Sequence, residues 1–418
     1  MEIPRDRMYL KFRLYGFLKN LRFFDPFIIL FFREAGLSFL SIGLLYSIRE
    51  ISVNLFELPT GFLADFFGRR KSMILSFSSY LVSFSIFYLL PGFWFYALAM
   101  VFFASGEAFR SGTHKAMILD YLKINGMEGM KVEYYGHTRS ASQFGSAISA
   151  LIAIVLVFYY GNYRVVFLAS IVPYVLELFL MASYPAYLDG DIARGRKREK
   201  GGLRKSFSET WRSFTHIFRN RDALGGILNS SVFGGVFRAS KEYLQPILKA
   251  QAIALPVLLY LADQQRVAVI VGLTYFFLYT LTSFASRSAG RFARRMSDIS
   301  TGINLTYVTG ALLLVISGLS AYLGWYPVAV AAFVGLYIVQ NLRRPLNVGY
   351  ISDTIESRVM ASGLSVESQL KTIITAVVAP AIGLLADVYG VGMALAVVGV
   401  AFIAVLPGVR VRRVGGNR

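Results

Sequence analysis

Gly61-Phe62-Leu63-Ala64-Asp65-Phe66-Phe67-Gly68-Arg69-Arg70-Lys71 sets one aspartate among apolar residues and closes on a glycine and three consecutive cations. Glycines permit the tight turn that such a passage needs. Asp65 can accept hydrogen bonds from Arg69 or from the exposed N-terminus of a facing helix, whose dipole favours an anion. Read only as an orientation signal at a membrane surface, the turn accounts for Arg69, Arg70 and Lys71 and leaves Asp65 without a reason.

Outward from this turn, apolar stretches near the ~20-residue length that spans a bilayer recur to both ends of the chain. The 418 residues are 56% hydrophobic and 16% charged, with a mean hydropathy of +0.55. No large soluble catalytic domain fits between the stretches, so the chain reads as an all-α integral membrane protein. Hydropathy places twelve transmembrane helices near 10–34, 39–64, 72–91, 93–122, 133–160, 163–184, 221–249, 265–288, 300–320, 324–351, 359–387 and 391–409.

The formal charge of +19 would suggest nucleic acid in a soluble protein. Here the cations fall mainly in alternate loops: Arg5 to Arg13, Arg69 to Lys71, Arg287 to Arg295, and Arg410 to Arg413. The intervening loops, such as Pro91-Gly92 and Gly324-Trp325, carry almost none, which is the positive-inside pattern with both termini cytoplasmic in a cell (inner or plasma) membrane. The basic stretch Met1–Arg13 enters a spanning segment with no small-residue cleavage site, so no removable signal is read. Residues 187–220 form a basic linker between an N-terminal half, 1–186, and a C-terminal half, 221–418. Its cations read first as an orientation signal against anionic lipid.

Cysteine is absent, and His114, His137 and His216 stand far apart without metal-ligand spacing, so no metal, cofactor or thiol chemistry is expected. No nucleophile and base are credibly spaced, and the phosphate-binding pattern G-x-x-x-x-G-K-[ST] is missing. Neither an enzyme nor an ATP-driven pump is indicated.

The halves echo one another. Ala108-Phe109-Arg110 is followed ten residues later by Asp120, and Asn341-Leu342-Arg343 ten residues later by Asp353; Ser142-Gln143 matches Ser368-Gln369; Arg22 and Arg238 fall mid-span in helices 1 and 7. Together they suggest a duplicated six-helix unit, hence two pseudo-symmetric six-helix bundles. Helices 3, 9 and 12 carry almost no ionisable residue and helix 6 only Glu177, so these are expected to face lipid while the charged helices line a polar interior.

The turn at 61–71 resembles the G-x-L-A-D-x-x-G-R-R/K signature of the major facilitator superfamily. With twelve helices, cytoplasmic ends and a basic central loop, the resemblance covers essentially the whole chain. It implies a secondary transporter with a cytoplasmic gate built from Gly61, Asp65, Gly68, Arg69 and Arg70, with Asp120 as the partner of Arg69 and helix 11 as the facing helix. Asp353 is the counterpart of Asp120, although the second-half turn, Ser286 to Arg295, keeps only Gly290 and arginines. The basic residue that many members place after the aspartate is Phe66 here.

Intramembrane charges mark the candidate binding site. Helix 1 carries Lys19, Arg22 and Asp25 at three-residue steps beside Pro26, on one side of a helix that proline bends. Helix 4 carries Glu107, Arg110 and His114, with Lys115 alongside; helix 7 carries Arg238, Lys241, Glu242 and Gln245. Helix 10 offers Arg343 and Arg344, helix 11 pairs Glu367 with Lys371, and Gln143 of helix 5 shares a face with Arg139. Cations exceed carboxylates, and unpaired cations in a membrane call for an anionic ligand. Arg22 and Arg238 are expected to face one another across a central cavity and to clamp it.

Asp25, Glu107, His114, Glu242 and Glu367 are the candidates for proton coupling. Glu107 with Arg110 and Glu367 with Lys371 read equally well as internal ion pairs that hold helices together. The function expected is proton-coupled transport of a small anionic solute by a monomer, through alternating access. Two alternatives are a proton-coupled multidrug exporter, disfavoured by the basic excess, and a flippase of an anionic lipid.

Overall fold

The computed structural model describes residues 6–189, 221–296, 298–355 and 360–412. The basic linker beyond Asp189 lies outside the described residues, as do the side chains of 58–67, Asp65 among them, and those of 131–133, 221, 287, 293–294 and 360–362. Regular structure among the described residues is helical throughout: α1 (Arg7–Leu18), α2 (Ile28–Glu34), α3 (Phe39–Phe67), α4 (Arg69–Leu89), α5 (Phe93–Arg110), α6 (Thr113–Ile124), α7 (Lys131–Tyr160), α8 (Val165–Ala182), α9 (Arg221–Ser240), α10 (Leu244–Ala254), α11 (Asp263–Arg295), α12 (Ile299–Tyr322), α13 (Tyr326–Thr354) and α14 (Met360–Val409). Two limbs of α14 meet at Gly390, where φ is +81°. Only helices satisfy every backbone polar group within one segment, which is what hydrocarbon demands.

The twelve expected spans are present: α1 with α2, then α3, α4, α5 with α6, α7, α8, α9 with α10, α11, α12, α13, and the two limbs of α14. Three of them are broken where continuous helix was expected. Residues 19–27 leave the helical path between α1 and α2. Pro26 lacks an N–H, and its ring would collide with the Arg22 carbonyl in a continued helix. The three-residue steps of Lys19, Arg22 and Asp25 therefore do not lie along one helical face, a correction to the reading from spacing. Gly112, with φ +73°, separates α5 from α6. A single tight turn, Lys241–Tyr243, separates α9 from α10, so Arg238 and Lys241 do not share one uninterrupted helical stripe.

The chain divides into two compact units, one of residues 1–37, 48–197 and 256–279, the other of 38–47, 198–255 and 280–418. In the first, α4 packs on α5 and α8, and α1 packs on α7 and α8. Its core is aromatic: Phe24 stacks on Phe167, Phe84 meets Tyr174 edge-on, and Phe31, Phe87 and Tyr96 close the end. In the second, α14 packs against α9 and α12, and α12 against α13.

On α8 one face leaves Leu168, Val172, Leu176 and Phe179 exposed while Glu177 is enclosed. The apolar stripe suits lipid, as expected of helix 6, but the single carboxylate turns inward.

Close helix approach rests on missing β-carbons. A β-carbon on Gly145 of α7 would lie 2.4 Å from the Phe17 carbonyl oxygen of α1, whereas one on Gly349 of α13 would meet nothing within 4 Å. Gly145→Val is expected to destabilise the protein by about 1–3 kcal/mol. Gly349→Ala should be neutral or stabilising by up to about 1 kcal/mol, since glycine weakens a helix interior. Thermal unfolding in detergent measures both.

Candidate functional site

In the first unit the break at 19–27 brings Arg22 against α5. Its Nη2 donates to Glu107 Oε1 at 2.7 Å and its Nε to the Tyr174 hydroxyl at 3.1 Å. Arg110 Nη2 reaches the same Glu107 oxygen at 3.1 Å, and the Tyr80 hydroxyl donates to it at 2.6 Å. Two guanidiniums and a phenol thus converge on one carboxylate oxygen. The three ionic side chains keep 21–29% exposure, so they are accessible rather than sealed. Asp25 acts on Arg22 as a further negative charge.

Lys19 lies beside this cluster, its Nζ 5.0 Å from the centroid of the Tyr15 ring. His114, at the start of α6, stacks on Tyr15 with ring centroids 3.5 Å apart, and its Nε2 sits 3.1 Å from the Tyr184 hydroxyl. Lys115 is exposed above the Tyr135 ring, and Gln143 is half-buried on α7. The first unit therefore gathers Lys19, Arg22, Arg110, Glu107 and His114, while Lys115 points elsewhere.

The turn after α3 is organised as well. Arg69 Nη1 lies 2.6 Å from Asp120 Oδ2, the partner that the resemblance implies. Gly68 adopts φ +97°, and a β-carbon there would press on Asp189 at 2.9 Å. Asp189 itself accepts from the Arg70 backbone N–H at 2.7 Å, and Arg70 Nη1 donates to the Tyr184 carbonyl at 3.0 Å. Asp189 was not anticipated, because its partner is a main-chain group more than a hundred residues away.

The described residues of the second unit include two ion pairs. Lys371 Nζ and the Ser230 hydroxyl both meet Glu367 Oε1, at 2.7 and 2.8 Å, with Asn347 behind Ser230 at 3.2 Å. Gly234 makes room for Lys371, whose Cε would sit 2.6 Å from a β-carbon there. Lys241 Nζ pairs with Glu242 Oε1 at 2.7 Å, and Gln245 Nε2 donates to Glu242 Oε2 at 2.9 Å. Arg238 is half-buried near the end of α9; Arg344 and Asp353 are exposed on α13. Arg22 and Arg238 belong to different compact units.

Arg343 is wholly buried and bonded only to neutral groups: the Ile303 carbonyl at 2.5 Å, the Thr306 hydroxyl at 3.1 Å, and Asn229 Oδ1. Its guanidinium lies over the Phe233 and Tyr307 rings, at 4.5 and 5.5 Å. Where the first half has Glu107 three residues before Arg110, the second has Gln340 before Arg343. In this conformation Arg343 offers no surface to a ligand.

A second instance of the 61–68 pattern escaped the reading of the sequence. Gly383-Leu384-Leu385-Ala386-Asp387-Val388-Tyr389-Gly390 repeats its glycines, leucine, alanine and aspartate. Asp387 Oδ1 accepts from the Phe39 N–H and Oδ2 from the Leu40 N–H, both at 2.8 Å, capping the N-terminus of α3.

Membrane-length apolar helices around paired internal charges define a polytopic membrane carrier. Among the described residues, seven helical stretches are long and apolar enough, each by itself, to cross a membrane by length and composition. A sequence model of the Major Facilitator Superfamily matches residues 20–366, and the chain belongs to that family of membrane transport proteins, not to the enzymes.

Among solved structures, the nucleoside transporter NupG superposes with a TM-score of 0.74 at 11% identity, covering 97% of this chain and 98% of NupG. A peptide transporter POT in complex with sulfate gives 0.69 at 12% identity, covering 96% and 94%. Tetrameric PepTSo2 gives 0.66 at 16% identity, covering 96% and 98%. At such identities the likeness is one of fold. No curated protein matches the sequence.

The Arg343 cage makes a testable case of a buried cation without a carboxylate. Asn229→Leu, which strips an acceptor from the guanidinium, should destabilise by about 1–3 kcal/mol. Arg343→Met should fall within about 1 kcal/mol of the parent, and the double variant should recover most of the single Asn229 loss. Thermal unfolding of the four proteins reads the cycle.

Proposed function

We propose that the protein is a proton-coupled secondary transporter of a small anionic solute, working by alternating access as a monomer in the cell membrane with both termini cytoplasmic. Two six-helix halves, 1–186 and 221–418, joined by the basic linker 187–220, are its moving parts. The observation that carries the reading is the cluster of Lys19, Arg22 and Arg110 around Glu107. Three cations face Glu107 and the more distant Asp25, so the accessible cluster retains positive charge that an anion can neutralise.

Arginine forks match carboxylate and phosphate with two parallel hydrogen bonds. Glu107 takes one Nη2 of each arginine, and tyrosine hydroxyls take each Nε, Tyr174 for Arg22 and Tyr80 for Arg110, which leaves Arg22 Nη1 as the donor for a ligand. The chain-wide excess of 43 Lys and Arg over 24 Asp and Glu agrees, although much of it lies in loops.

Uptake into proteoliposomes under an imposed pH gradient tests the reading, with a panel of organic acids, phosphorylated metabolites, nucleosides, short peptides, cationic drugs and labelled anionic lipids. An anion should accumulate with the gradient. Arg22→Gln should weaken its binding by about 2 kcal/mol, roughly thirtyfold, and Arg22→Lys should restore only part. Transport confined to cationic or neutral drugs would replace this reading with multidrug export, and movement of labelled lipid alone would replace it with a flippase.

A further inference from the structure

We propose that Glu177 is a proton-binding site, loaded in the state described here and emptied when Lys19 comes within pairing distance of it. Its part in coupling rests on the transporter reading above; the bound proton does not. Glu177 is the only acidic or basic residue of α8; the other titratable group of the helix, the Tyr174 phenol, accepts from Arg22 Nε. Its side chain is fully enclosed, and neither carboxylate oxygen accepts a hydrogen bond of normal geometry, the Lys19 backbone N–H being the nearby donor that acts on it.

An ionised carboxylate so placed costs several kcal/mol, and the neutral acid is the form that avoids this. Lys19 is the charged group acting on Glu177 most strongly, followed by Arg110. The Tyr15 and Tyr184 phenols lie within its field. Of the other elements packed on α8, α4 contributes Tyr80, whose hydroxyl is committed to Glu107, and α7 contributes His137, bonded to Tyr9.

Lys19 makes no ion pair among the described residues, and it stands at the start of the irregular stretch 19–27. A neutral acid and an unpaired ammonium are therefore neighbours that have not joined. When Lys19 swings onto Glu177, the O–H bond breaks, the proton leaves to water, and the carboxylate and ammonium form an ion pair. The reverse movement takes up one proton. Glu107 is a poor carrier by contrast, because two guanidiniums and a tyrosine hydroxyl hold it ionised.

Infrared difference spectra of the reconstituted protein, recorded through a pH titration in H2O and D2O, read the protonated carboxyl directly. The carboxylic C=O band should vanish in Glu177→Gln, a neutral isostere that should fold as well as the parent. In Lys19→Met the band should persist to a pH higher by about one unit or more, because the ionised form has lost its cation. A band unchanged in Glu177→Gln, or a titration indifferent to Lys19→Met, would overturn the assignment.

In proteoliposomes, Glu177→Gln should keep solute exchange and lose accumulation driven by the pH gradient; undiminished accumulation would remove Glu177 from coupling. If the parent moves no solute, the transporter reading fails while the infrared result still decides the proton site.

A different observation carries a second inference: the geometry points to Asp387 as a latch on the membrane face opposite the turn at 61–71. The octapeptide at 383–390 repeats that at 61–68, and both end on a glycine of positive φ, +81° at Gly390 and +97° at Gly68. One copy ends α3; the other ends the first limb of α14 and grips the opposite end of α3. A β-carbon on Gly383 would lie 2.3 Å from the Phe39 carbonyl oxygen, so the glycine is what lets Asp387 reach both amides.

An anion on the first N–H groups of a helix is held by the helix dipole and by two charge-assisted hydrogen bonds, an arrangement that breaks as a unit. Because the chain has no cysteine, spin labels can be placed singly at Ser38→Cys and Tyr389→Cys. Distance distributions between them should gain a longer component in Asp387→Asn and lose any such component in Asp65→Asn. Identical distributions in Asp387→Asn and its parent would overturn the latch.

Discussion

An ionised side chain in hydrocarbon must bring its own counter-charge, its own hydrogen-bond partners, or a proton. Much of the polar architecture of this protein follows from how its charges meet that demand. Glu107 does so by drawing two arginines and a tyrosine onto one oxygen, which ties the irregular stretch 19–27 to α5 and α4. Glu367 does so with a lysine one helical turn away and a serine from α9. Arg343 uses neutral acceptors and aromatic faces, and Glu177 is left with the proton. These four solutions differ in strength, and the difference separates groups that stay fixed from groups that can change state.

The two halves carry matching residues yet solve the problem differently. Arg110 and Arg343 occupy matching places, each followed two residues later by a residue that disturbs helices, Gly112 in one case and Pro345 in the other. Gly112 breaks its helix, whereas Pro345 is carried inside α13. With a break and a carboxylate, the first half has an accessible ionic cluster. With neither, the second half buries its arginine.

Twelve spans were legible because a bilayer imposes one length and one composition on each of them. The Arg69 and Asp120 pair was legible only through resemblance, since nothing in a spacing of fifty-one residues announces a contact. Pro26 and Gly112 were visible, but a bend was read where the chain breaks; hydropathy averages over a break and does not register it. Tyr80 and Tyr174 could not have been singled out among 25 tyrosines, because their role depends on which helices pack together. Asp387 is legible when the chain is compared with itself, because the octapeptide 383–390 repeats 61–68; it stands in α14 and not in the equivalent loop of the second half, 286–295.

The cage around Arg343 has an electrical consequence. A guanidinium bonded only to neutral groups leaves its charge uncancelled inside a medium that screens weakly, so a standing positive potential surrounds it. A second cation brought near the cage would climb that potential, whereas a group carrying no net charge would not. The caged arginine thus sets a local electrical bias that its neighbours of either sign must feel.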